Sequence, residues 1–446
     1  MNIPLLICIH IFLYSFIFIN TELVIPFESK LCIGNEKEDI LSKYYNQYLY
    51  TPIIIGSKNQ RLEVALKLNR YITYLISSKN SGLKSDFFNE GNSNTYEKID
   101  DKKIQSSEDE FISGIKSNDN FIFGNNINFQ KYLFYLSQEQ RFDETGHIGL
   151  KMAPSYLDKD FSGNGFIHQL KSKGLINSNS FYFKYEFKDE EEFKYKGNLI
   201  IGGMPHEIEP SKLFNKDNYV QVYANINEYN TRWNIKLASV SYGAEIVSRS
   251  DTAKLSTTFG LIEAPINFLS IFDIFFNKTK CYTNYNGENK YYLYIYCDKS
   301  VDVSKFKDLF FTTSNNELNF TLTYKDLFRK IGNYYYFLIL FNEDIKEWNF
   351  GHIFLKKYVM VFDIDKKTIG YYYQGSKKNE QNNKKYINYT SVVMCIVFGF
   401  IIVWLLLYIF YIRPIRNRRM RANELELSFN YSSSDEDKEK ANKLGV

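Results

Sequence analysis

Three consecutive small hydroxyl side chains, Ser256, Thr257 and Thr258, stand in a tight turn within Ala253-Lys-Leu-Ser-Thr-Thr-Phe-Gly-Leu-Ile-Glu-Ala-Pro265. A short apolar strand leads into the turn, and an apolar pair and Pro265 lead out. A serine hydroxyl becomes a nucleophile only when a base or a depressed pKa activates it. The nearest acid in the preceding strand, Asp251, lies five residues before Ser256. Elsewhere His352 stands alone, a setting that reads as a surface or capped histidine. The cysteines show no Cys/His spacing of the kind that holds zinc. Neither a metal nor a cofactor is expected.

The elements around these residues follow a recurring order. From Leu41, Ser-Lys-Tyr-Tyr-Asn-Gln-Tyr-Leu-Tyr runs into Ile53-Ile-Ile-Gly-Ser-Lys-Asn-Gln60. Leu62, Val64, Leu66 and Leu68 then alternate as in a half-buried strand. Phe88-Asn-Glu-Gly-Asn-Ser-Asn-Thr-Tyr96 and Gly114-Ile115 follow. Phe166-Ile-His-Gln-Leu-Lys-Ser-Lys-Gly-Leu-Ile176 reads as a short amphipathic helix closed by Gly174. Gly197-Asn-Leu-Ile-Ile-Gly-Gly203 and Trp233-Asn-Ile-Lys-Leu read as strands, and Leu318 to Phe328 alternates as a strand pair would. Trp348-Asn-Phe-Gly-His-Ile-Phe-Leu-Lys-Lys-Tyr-Val-Met-Val-Phe-Asp363 is the most specific segment.

In this order and spacing, about Leu41 to Tyr373 resembles the pepsin-like aspartic proteases. The resemblance implies an all-β, bilobal fold, with a first lobe at 41–215, a second at 216–373 and a substrate cleft between them. It also implies that two aspartates should face each other across that cleft. Laid on without gaps, they fall on Lys67 and Ser256, and the threonine and glycine after each become Leu68 and Asn69, and Thr257 and Thr258. The family's flap tyrosine falls on Ser107, with Glu108-Asp109-Glu110 following, its later tryptophan on Tyr74, and the aspartate of its closing motif on His352.

Pepsin-type hydrolysis uses two carboxylates that share a proton, one activating water and the other donating to the carbonyl. A lysine ammonium has donors and no acceptor, and a serine needs help to act as a base. A Ser–Lys nucleophile pair needs a neutral lysine and an oxyanion hole, and the sequence displays neither. The resemblance, with both carboxylates replaced, implies an inactive homologue that binds a peptide or protein partner. The alternative is an active aspartic endopeptidase of the secretory or endosomal pathway whose true motif is Asp251-Thr-Ala253. The glycines after each Asp-Thr let the backbone turn tightly, so Asn69 and a β-branched Thr258 are expected to strain the loops.

The 446 residues suit two domains with appendages. Residues 1–20 are almost unbroken apolar sequence and read as a secretory signal. Residues 391–412 form an apolar run of bilayer-spanning length, and Arg413, Arg416, Arg418, Arg419 and Arg421 follow, placing a disordered tail, 413–446, in the cytosol. Residues 374–390 read as a polar stalk. These ends describe a single-pass membrane protein with a lumenal or extracellular ectodomain. Asn277 and Asn319 begin glycosylation sequons. In an oxidising lumen Cys281 and Cys297 are the natural disulfide pair, leaving Cys32 free, buried or intermolecular. Net charge is +4, much of it in the basic fence, so nucleic-acid binding is excluded. The 17% aromatic content is spread over every segment and marks no stacking platform.

Overall fold

The computed structural model describes residues 22–31, 44–78, 87–100, 114–124, 127–137, 146–153, 163–189, 194–225, 231–285, 292–314 and 319–373, with 418 and 423 as isolated positions. The expected leader and stalk, the run 391–412, nearly all of the tail, Cys32, Ser107 and Glu108 to Glu110 lie outside the described residues. No helix among the described residues is long and apolar enough to cross a membrane.

Period-two burial builds the strands. In Gln60–Lys67, Leu62, Val64 and Leu66 are buried while Arg61 and Glu63 are exposed. Among the described residues two large sheets result, one of thirteen strands and one of eleven. The first curls on itself, because Gln47–Ile55 pairs with Gln60–Lys67 on one side and also with Ile115–Phe123. The fold is thus mostly β, with two curled sheets.

Both sheets contain the same crossing. In the first, Gln60–Lys67 runs parallel to Gly146–Gly149, with Lys67 opposite Gly149, and Tyr74–Ile76 flanks that strand antiparallel. In the second, Glu245–Leu255 runs parallel to Trp348–Phe350, with Leu255 opposite Phe350, and Ile262–Pro265 lies antiparallel beside it. Each crossing is tight enough to demand glycine. A Cβ on Gly149 would stand 2.5 Å from the Tyr71 carbonyl carbon, and one on Gly351 would stand 2.2 Å from the Leu261 oxygen. The sequence shows no repeat, yet the backbone geometry is duplicated.

Three elements differ from the sequence reading. Leu23–Leu31, between the expected leader and first lobe, is a strand inserted between Lys194–Ile201 and Gln47–Ile55. Its alternation, with Leu23, Ile25, Phe27 and Ser29 buried, follows directly on the apolar leader run. The last two described strands, Val361–Asp363 and Thr368–Tyr372, join the first sheet. The segment Leu318 to Phe328 is not a simple strand pair. Asn319–Leu322 and Phe328–Ile331 are strands, but Tyr324–Leu327 forms a helical turn. The cause is a capping box, in which the Thr323 N–H donates to Asp326 Oδ2 at 2.7 Å. The helix Phe166–Ser172 forms as read, with Gly174 at φ +69° behind it.

Cys281 and Cys297 face each other across an antiparallel pair and are disulfide-bonded. The bridge closes a separation of 16 residues. Replacing both with serine is expected to cost about 3 kcal/mol by the chain-entropy account, measured as the loss in unfolding free energy in urea.

Candidate functional site

Thr257 joins the two loops. Its hydroxyl donates to the Leu66 carbonyl at 2.6 Å and accepts from the Leu68 N–H at 3.3 Å. Lys67 lies between those two residues, so the structure brings Lys67 and Ser256 to adjoining loops. From the other side Leu68 has no hydroxyl to return the bond, and only half of a reciprocal pair exists.

Lys67 ends its strand and is 6% exposed. Its ammonium lies 5.1 Å from the centroid of the Tyr48 ring, an attraction worth about 0.5–2 kcal/mol depending on desolvation. Ser256 is also buried. Its N–H donates to the Phe350 carbonyl, and its hydroxyl lies 2.8 Å from that of Thr258 and accepts from the Thr258 N–H. Among the described residues these partners are a hydroxyl and an amide, neither of which takes a proton from serine. Asp251 sits within the strand Glu245–Leu255, opposite Leu237, and accepts from the Ser248 hydroxyl. It is not in the turn.

The expected backbone strain is absent. Neither Asn69 nor Thr258 has positive φ, so both loops accept a side chain without entering the left-handed region. What changes is occupancy, because the Thr258 hydroxyl fills space beside Ser256. Tyr74 is buried and stacks on His147 at 5.4 Å.

His352 corrects the sequence reading. It is fully buried, because Gly351 carries the chain through the crossing and turns the next side chain inward. Its Nε2–H donates to the Gln47 carbonyl at 2.9 Å, and its Nδ1 accepts from the Tyr185 hydroxyl at 3.1 Å. Gln47 and Tyr185 both belong to the first sheet, so the imidazole bridges the sheets. Desolvation holds its pKa down to about 4, opposed by the Gln47 hydrogen bond.

A second buried polar group escaped the sequence reading. Glu263, on the strand leaving the hydroxyl turn, is 2% exposed. Asn342 donates to one carboxylate oxygen at 2.6 Å and Asn349 donates to the other. Tyr45 lies nearby, and its hydroxyl donates to that of Tyr292 at 2.8 Å. Desolvation raises the Glu263 pKa, and the asparagines, Lys254 and Tyr45 oppose the rise. The available signal was a single acid between Ile262 and Ala264 in an otherwise apolar run, which requires buried partners. No group of three or more His, Cys, Asp or Glu is placed to hold a metal among the described residues.

Two measurements check this geometry. Thr257→Val removes the hydroxyl and with it the bonds to the Leu66 carbonyl and the Leu68 N–H, for an expected loss of about 2 kcal/mol. Thr257→Ser should recover most of that loss in urea denaturation. The second concerns pH. The unfolded chain protonates His352 near 6.5 and the folded chain near 4. Its contribution is therefore complete above about 6.5 and is lost as pH falls towards 4, by about 3 kcal/mol. Glu263, with a raised folded pKa, acts in the opposite sense and loses its contribution as pH rises. The slope due to the imidazole is isolated by subtracting the pH–stability curve of His352→Gln from that of the unmodified protein.

Residues 47–372 match the profile of eukaryotic aspartyl proteases. No individual curated protein matches the chain at the sequence level.

Proposed function

The chain belongs to the eukaryotic aspartyl protease family, and within it we propose a pseudoprotease, a binding protein that retains the peptidase domain without its hydrolytic chemistry. The observation that carries this reading is the Thr257 bond to residues 66 and 68, which supports the register in which the two dyad positions are Lys67 and Ser256. Activation of water needs a carboxylate at one of them. An ammonium over Tyr48 and a serine hydroxyl bonded to Thr258 offer none. The cleft then serves recognition, with a peptide or protein segment as its occupant.

The same reading places the domain outside the cytosol, on a single span at 391–412 preceded by the 374–390 stalk. Asn277 and Asn319 are both exposed, as acceptors for glycans must be.

The purified ectodomain is expected to leave a peptide library intact between about pH 3 and pH 6, the range in which carboxylate dyads work, and to pass unretained over immobilised pepstatin. Pepstatin-sensitive turnover would falsify the reading in favour of an active endopeptidase. The double substitution Lys67→Asp with Ser256→Asp should fold and remain inert. Leu68 still lacks its half of the inter-loop bond, Thr258 still fills the turn, and an error of about 1 Å in such a site costs about a hundredfold.

A further inference from the structure

Cys281–Tyr285 is an edge strand. Among the described residues it pairs antiparallel with Tyr292–Asp298 and with no other strand. The register fixes which of its backbone groups face outward. The Asp298 N–H donates to the Lys280 carbonyl at 2.9 Å, so residues 280 and 298 are a hydrogen-bonded pair. Bonded and non-bonded pairs alternate along an antiparallel ladder, which makes Tyr282 and Tyr296 the next bonded pair. The Cys281 carbonyl and both backbone groups of Thr283 therefore point away from the sheet. The Cys281 N–H is taken by the Thr279 carbonyl at 2.8 Å, and the Tyr285 N–H by Asn284 Oδ1 at 2.9 Å.

This edge lacks the usual protections. Charges, proline or a bulge normally blunt an exposed edge. Cys281-Tyr-Thr-Asn-Tyr285 has neither charge nor proline, and its register is unbroken. The disulfide from Cys281 to Cys297 holds it beside its neighbour. Period two sorts the side chains of these strands. Ile295 and Phe337 are buried on the inner face, whereas Tyr282, Tyr296 and Tyr336 form a row across three strands on the outer one. Neighbouring ring centroids in the row lie 5.4 and 5.9 Å apart, tilted by 34° and 31°. The row ends on the edge strand at Tyr282, which is 49% exposed. On the same face and two residues back, Lys280 is exposed opposite Asp298. Lys280 and Lys299 both act on that one acid, which leaves this rim net positive among the described residues.

The outward backbone groups call for a strand, because main-chain hydrogen bonds give strand addition its affinity and alternate side chains give it specificity. The exposed Tyr282 ring calls for an aromatic side chain directly opposite, as cross-strand ring pairs stabilise a sheet. Lys280 calls for a carboxylate. A sugar or a lipid headgroup could meet the ring or the charge, but not the backbone. We propose that the edge Cys281–Tyr285 binds an extended acidic segment of a partner protein by strand addition, with an aromatic residue opposite Tyr282 and an acid opposite Lys280. In antiparallel pairing the acid follows the aromatic by two residues. The surface shares no residue with the loops that carry Lys67 and Ser256, so its occupancy is independent of the cleft.

The test immobilises the full chain in detergent and passes the peptide acetyl-Ser-Thr-Tyr-Thr-Glu-Ser-amide over it in surface plasmon resonance. Saturable binding is expected. N-methylation of both threonines, whose N–H groups meet the Thr283 and Cys281 carbonyls, should weaken it about tenfold or more. N-methylation of the tyrosine, whose N–H points away from the edge, should leave it unchanged. Tyr282→Ala should weaken binding about fivefold. Lys280→Gln should remove the advantage of this peptide over one with glutamine in place of glutamate. Thr283→Pro removes an N–H that faces away from the sheet, a position an edge strand tolerates, and should block binding. If that variant does not fold by circular dichroism, Tyr282→Ala and the methylated pair decide the matter. The proposal is overturned by absence of saturable binding, by equal loss in the two methylated peptides, or by unchanged affinity in Tyr282→Ala. It is also overturned if sedimentation shows a dimer that Thr283→Pro dissociates, since a second copy would then be the occupant.

Discussion

The hydrogen bond that organises the candidate site is the one Thr257 makes across the two loops. A single hydroxyl serves as donor to the Leu66 carbonyl and acceptor for the Leu68 amide. Burial makes the arrangement strict, because an unpaired amide or carbonyl there would cost more than the bond contributes in water. Once it is made, the residues on either side have no freedom of register. Lys67 and Ser256 are thereby held on adjoining loops, and the proposed reading of the site starts from that constraint.

Two buried polar groups tie this centre to the body of the molecule. His352 follows the glycine of the second crossing and reaches Gln47 and Tyr185 in the other sheet. Glu263 follows the hydroxyl turn and draws in Asn342 and Asn349. Both are satisfied, which is what allows charged or chargeable side chains to sit in an apolar setting. They respond to acid in opposite senses, so the pH behaviour of the domain is a balance between an imidazole that resists protonation and a carboxyl group that invites it. Both ionisable groups hold parts of the sheets together.

Local pattern was enough to place most strands, the short helix Phe166–Ser172 and the two loops, because period-two burial and glycine at a crossing are imposed by neighbours in the chain and leave a trace there. That Lys67 and Ser256 bear no carboxylate was equally legible, and the proposal for the site rests on their alignment. Strand Leu23–Leu31 went unread because its alternation adjoins an apolar run of another kind, and the turn at Tyr324 because its capping box interrupts an alternating pattern. What the tertiary structure alone decided was which side chains meet. Thr257 and Leu66 are 191 residues apart, and His352 and Gln47 are 305 apart; no local pattern encodes such a pairing, because it exists only after the strands have crossed. For the same reason the duplicated crossing, invisible as a sequence repeat, is plain in the backbone: two stretches with different side chains satisfy the same hydrogen-bond geometry, and that geometry is a property of the sheet, not of the letters.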